Sequence, residues 1–343
     1  MITLTPALES LAFSFPEVDQ RASCTIGFQR TLRLPDDGRT YPLPAGLGNF
    51  PLRHTDDFAA RLPEAMVKRG GVVMPMWQAE AMWLHFSGGW PSYPCAVKIA
   101  AGKINAVTGG TWTNGLQREP QDYMVVPAQP WLDGFCVKKG MIRQFVAAPL
   151  GSGMSAEEQL TGAAEHGGLQ IVVYPMKKEA YERLFPPRPA VDAFRMEEAM
   201  MPCAAAPAGM AMGLAAGGMM QQEIYEDPYG FDVWDQTVSS RCFVTILNST
   251  AWQAVTGEAP PTQPITAEDY RRHGIPWFDY YAADREALAG SSKLAGLKSI
   301  KDFARLGWPW GKPEPKPEPA VINVGPDVRP AQRTSGQVRE AEF

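Results

Sequence analysis

The sequence predicts an α+β protein, with a strand-dominated N-terminal region carrying short helices and a smaller α/β region towards the C-terminus. Three observations lead there. Gly and Pro each number 32 among 343 residues, a density of turn formers that suits many short strands better than long helices. Residues 123–127, 135–137, 141–147 and 169–174 are short β-branched or aromatic runs bounded by glycine and proline, the pattern of strands. Between the last two, Ser155-Ala156-Glu157-Glu158 has the S-x-x-E spacing of a capping box. There the serine oxygen accepts from the backbone of the glutamate, whose carboxylate accepts from the backbone of the serine, so a short helix starts at this point.

Taken in order, residues 25–33 alternate apolar and polar side chains with one slip of phase. Asp36-Asp37-Gly38 then turns the chain and residues 39–43 return, a hairpin whose Asp-Gly pair supplies the positive φ such turns need. Thr55 caps a short helix running to Ala60, with Asp56 and Asp57 complementing its positive end. An apolar run over 72–76 leads into 77–86, predicted as helix because Trp77, Ala81 and Leu84 share a helical face and Gly88-Gly89 ends it. Residues 96–100 and 103–108 form a strand pair about Ala101-Gly102.

Residues 199–220 are 22 residues without a charge, long enough to cross a bilayer. Their content argues otherwise. Pro202, Pro207 and four glycines would break a helix that lipid obliges to satisfy its own backbone, and acidic Glu197, Glu198 and Glu223 flank the stretch. It reads as part of a Met/Ala/Gly-rich linker or insertion over 191–222, with no membrane span. Residues 241–248 then form a strand and 250–255 a short helix. Thr266-Ala267-Glu268-Asp269 caps another helix, which ends near His273 ahead of Gly274 and Pro276. Residues 284–303 read as a broken helical segment. From Gly311 the chain turns into PEPKPEP and stays polar to Phe343, with five basic and five acidic residues that cancel. This predicts a disordered tail that adds nothing to the fold. The organisation expected is therefore a β-rich domain over 1–190, the linker, a smaller α/β region over 223–310 and the tail over 311–343.

A net charge of −5 and a pI near 5.5 lack the basic footprint of a nucleic-acid binder. Cys24, Cys95, Cys136, Cys203 and Cys242 are widely spaced and form no C-x-x-C. They predict neither a disulfide framework nor a zinc site, but the buried thiols of a reducing cytoplasm. The N-terminus has no basic residues ahead of its apolar ones, and Glu9 interrupts these, so it does not read as a signal peptide. His54, His85, His166 and His273 form no i,i+4 pair, and Asp227, Asp232 and Asp235 lack calcium-loop spacing. No metal is expected. Gly151-Ser152-Gly153 lies between a strand and a helix start but carries neither the P-loop lysine nor G-x-G-x-x-G. Glu157 and Glu158 would also repel an anion there, so no cofactor is expected either.

Two groups of residues could carry chemistry. Cys136 and His166 would make a thiolate–imidazolium pair, with Glu165 or Asp133 orienting the ring. Against it, the thiol alternates with Phe135 and Val137 as an ordinary strand residue does, and His166 suits a helix C-terminus. The second group is aromatic and acidic: Tyr225, Tyr229, Trp234 and Asp235, with Trp277 and Asp279 further on. Aromatic faces beside carboxylates bind sugars or cations, and a carboxylate pair can hydrolyse glycosides. More often such rings bury their apolar body. The expectation is a structural or binding role towards an unidentified protein or small molecule. The alternative is a hydrolase or transferase using the Cys/His pair or a carboxylate pair.

The strings PQDYMVVPAQPWLDGF, GGLQIVVYPM, QEIYEDPYGFDVWD and GIPWFDYY resemble a family of uncharacterised bacterial proteins, over most of the chain up to about residue 303. Some members of that family are labelled integral membrane proteins. The resemblance implies a bacterial protein and brings no activity, cofactor or site residue with it.

Overall fold

A computed structural model of the chain describes residues 1–5, 9–88, 92–186, 211–278, 285–305 and 336–340. Eighteen strands join one large curled sheet, and strand accounts for 40% of the structure against 19% for helix. An antiparallel path runs from Ile2–Thr5 through Ser10–Ser14, Ser23–Thr31 and Ala81–Gly88 to Met141–Pro149. It continues through Ala211–Gln221, Ser240–Asn248, Leu169–Pro175 and Cys95–Ala101 to Met124–Val126. Phe13, Phe28, Phe135, Tyr174 and Trp252 are among the large side chains shut inside.

This overturns the expected α+β division. An α/β region would need parallel strands joined by crossover helices. Ser240–Asn248, the strand expected in that region, instead pairs antiparallel with Leu169–Pro175 and Ala211–Gln221. Its one parallel neighbour is Val72–Met76, from the N-terminal part of the chain. The strands before and after the expected linker therefore belong to one curled sheet.

The expected linker itself contributes to that sheet: residues 211–221 form an eleven-residue strand against Met141–Pro149. Its small residues are a packing requirement. A Cβ on Gly213 would lie 2.8 Å from Ser155, one on Gly217 2.5 Å from Val146, and one on Gly218 2.6 Å from the Pro35 carbonyl. Residues 191–210, with Cys203, lie outside the described residues.

Three further expectations fail for identifiable reasons. Residues 81–88 are strand rather than helix: Met82, Leu84 and Phe86 are buried while Trp83 and His85 are half-buried, a period of two, set by eight register pairs with Ser23–Thr31. The Asp36–Gly38 turn does not close a hairpin. Thr40–Tyr41 leaves to pair parallel with Met219 and Met220, and Ser23–Thr31 pairs instead with Gly46–Asn49. The tail is not wholly outside the fold, because Gln337–Val338 pairs with Ile2–Thr5.

Two of the three expected helix caps are observed; Thr55 is not a cap, since His54 precedes the Thr55–Arg61 turn without a side-chain bond and the Thr55 hydroxyl donates to Gly70. Ser155 and Glu158 form the capping box of Ala156–Thr161, and Thr266 and Asp269 that of Ala267–Arg272. Among the described residues no helix is long and apolar enough to cross a membrane.

Candidate functional site

Cys136 sits in the Gly134–Lys138 strand, 1% exposed. Its N–H donates to the Ala106 carbonyl and its own carbonyl accepts from Ser291. Burial pushes its thiol up to about 12, so no thiolate forms at neutral pH. Asp133, considered as a ring orienter, exchanges hydrogen bonds with the Gln222 amide in the interior.

His166 belongs to a different corner, built by the Ala156–Thr161 helix. The buried Glu157 carboxylate accepts from the backbone N–H groups of Gly167 (2.9 Å) and His166 (3.2 Å). Its other oxygen faces His166 Nδ1 at 3.3 Å without the alignment of a hydrogen bond. Glu165 stands 3.7 Å from the same nitrogen and is held by Lys103. Arg69 donates to the carbonyls of Glu165 and His166. The sequence spacing missed Glu157 as the ring's nearest carboxylate, because the loop folds back over a helix that precedes it. The corner ties down a loop, and among the described residues the His166 ring makes no hydrogen bond to a thiol or hydroxyl through Nδ1.

The aromatic-acidic stretch is consumed internally. Asp227 Oδ2 accepts from the Tyr123 hydroxyl and the Trp234 indole, both at 2.7 Å, and Oδ1 accepts from the N–H groups of Tyr229 and Gly230. The phenol of Tyr123 is driven well above its ordinary pKa by burial and by this carboxylate. Tyr225 and Trp234 are buried, and Tyr229 packs edge-on against Trp234. Asp235 closes a turn by accepting from Thr237 N–H and hydroxyl. Trp277 pairs beside Pro44 and stacks on Tyr41, half in water, while Asp279 lies outside the described residues. Among the described residues no group of three His, Cys, Asp or Glu side chains is placed to hold a metal.

A site that sequence reasoning missed lies where the curled sheet presents its first strand. Ile2–Thr5 pairs on one side with Ser10–Ser14, and its other side receives residues 336–340. The Gly336 carbonyl accepts from Leu4 N–H at 2.6 Å, and the Arg339 carbonyl from Gly71 N–H at 3.0 Å. Val338 points inward, 1% exposed, with Gln337 and Arg339 outward, the alternation of a strand. The Arg339 guanidinium forks onto Asp56, the closest approach being 2.6 Å, and also reaches the Val67 and Lys68 carbonyls at the end of the Glu64–Arg69 helix. A cation there satisfies carbonyls that the helix leaves open. The Glu340 carboxylate accepts from Arg241 N–H at 2.8 Å and the Ser240 hydroxyl at 3.0 Å.

The slot is shaped by local sequence. Gly70 and Gly71 adopt φ of +67° and +73°, and a Cβ on Gly70 would sit 2.8 Å from the Arg339 carbonyl. Thr55 pins this corner, its N–H and hydroxyl donating to the Gly71 and Gly70 carbonyls, which sets neighbouring Asp56 facing outward. The segment thus bridges from the first strand to Ser240–Asn248. Comparison of the chain with protein-family models, curated proteins and solved structures finds no match.

Proposed function

We propose that this chain is a binding protein and that its edge slot is built to take an extended peptide. One observation carries the reading: residues 336–340 are held by groups from four distant stretches, namely Leu4, Asp56, Gly71 and the Ser240–Arg241 pair. This is strand addition to an open sheet edge, in which main-chain hydrogen bonds supply affinity and alternate side-chain positions supply choice. The preferred peptide has an apolar residue, then arginine, then an acidic residue. Of the residues considered for chemistry, Cys136 is buried with its thiol pushed up to about 12, and both Asp227 oxygens accept internal hydrogen bonds.

The test uses a fluorescent peptide of residues 334–343 and the full chain carrying Val338→Asp, which displaces its own segment by putting a charge in an apolar seat. Saturable binding is expected, at least ~10-fold tighter than to the unaltered chain, whose tethered segment competes from within the same molecule. A peptide with the arginine reversed to aspartate should fail. If the variant ignores the native peptide while Leu4, Gly71 and Arg241 amides exchange freely, the slot is not a peptide site.

A further inference from the structure

We propose that the occupant of this slot is also the tail of a second copy of the chain, so that two molecules exchange their residues 336–340 reciprocally. The inference rests on the edge-slot reading above and names its partner. Among the described residues, the hydrogen bonds and ion pairs to the segment come from residues 1–4, 56, 67–71 and 240–241, none of them its neighbours in sequence. The same bonds therefore form whether the segment arrives from its own chain or from another.

Length permits the exchange. Thirty residues separate Arg305 from Gly336, and at ~3.3–3.6 Å per residue they reach up to about 100 Å. A compact chain of this size has a radius of gyration of about 20 Å, so thirty residues are enough in length to reach a neighbouring copy. Swapping an identical element conserves the contacts, and only the entropy of joining the molecules changes. Because the exchange is reciprocal, the first tail to cross makes the second crossing intramolecular.

The Asp56–Arg339 pair makes the exchange testable without disturbing the core, since the two side chains are 46% and 43% exposed. Two full-length variants are prepared, Asp56→Arg and Arg339→Asp. Alone, each sets like charges against each other and loosens its own segment. Mixed, each tail finds an opposite charge in the partner's slot, in both directions. By sedimentation velocity, each variant alone should run as the 37.6 kDa chain, and the equimolar mixture should give a species of twice that mass. Raising the salt concentration should reduce that species, because the pair is exposed.

Binding of the labelled 334–343 peptide to the Arg339→Asp variant is measured alongside. If the peptide binds but the mixture stays monomeric, exchange is overturned and the peptide slot stands. If neither the peptide binds nor the heavier species forms, both readings fall. If each variant dimerises alone as readily as the mixture does, the Asp56–Arg339 pairing does not direct association, and the proposal is overturned.

Discussion

Val338 lies opposite Ile2 in antiparallel register, and both side chains are out of water although 336 positions separate them in the chain. Burying a valine contributes about 1.5–3 kcal/mol, part of which offsets the ordering of a few residues. Deleting residues 336–343 should therefore lower the unfolding free energy by roughly 1–3 kcal/mol, seen as a lower urea midpoint. An unchanged midpoint after the deletion would mean that the edge strand gains nothing from its neighbour.

Cys136 predicts a chemical phenotype. With its thiol pushed up to about 12 by burial, iodoacetamide at neutral pH should label it slowly in the folded protein and rapidly in urea. Cys136→Ser should lower stability, because the hydroxyl leaves water for an apolar strand position. Fast labelling of native Cys136, slowed by replacing His166, would contradict the geometry.

Asp133 predicts a pH dependence. Burial raises its carboxyl from an ordinary 3.8 to about 7, with the Gln222 bond acting the other way. Between those values the unfolded chain has released the proton and the folded chain retains it. This group's contribution is therefore complete below about pH 4 and lost as the pH rises through about 7, at up to about 1.4 kcal/mol per unit. Asp133→Asn removes the dependence. The stability of the variant relative to the unaltered chain should thus improve steadily across that window in urea titrations, and a flat difference would refute the assignment.

Gly218 tests why the Ala211–Gln221 strand is built from small residues. An added methyl would lie 2.6 Å from the Pro35 carbonyl and 3.0 Å from that of Leu34, backbone atoms with little freedom to yield. Gly218→Ala should cost about 1–3 kcal/mol, the range for overpacking. A neutral result in thermal unfolding would show that the 34–35 segment moves aside easily.

These positions also show how far the sequence could be read. Segments whose conformation is decided within a few residues were legible. The Ser155/Glu158 and Thr266/Asp269 boxes occur as expected, and so do the strands at Leu169–Pro175 and Ser240–Asn248. Residues 77–86 read as helix because Trp77, Ala81 and Leu84 fit a period of 3.6, although Met82, Leu84 and Phe86 equally fit a period of two. The pairing with Ser23–Thr31 decided between them.

By itself the sequence determined that the chain is rich in short strands, that two helices start at Ser155 and Thr266, and that Cys136 occupies a strand. Each follows from backbone preferences and side-chain bonds spanning four or five residues. Only the tertiary structure decided which strands meet, because pairing depends on groups that the chain brings together over long separations. Ala211–Gln221 looked like a linker since small residues carry no strand preference of their own, and their reason is the proximity of Ser155, Val146 and Pro35. Residues 336–340 looked like solvated tail for the same cause. One valine between polar neighbours signals nothing until Ile2 lies opposite it and Asp56, Gly71 and Arg241 hold the Arg339 and Glu340 that follow.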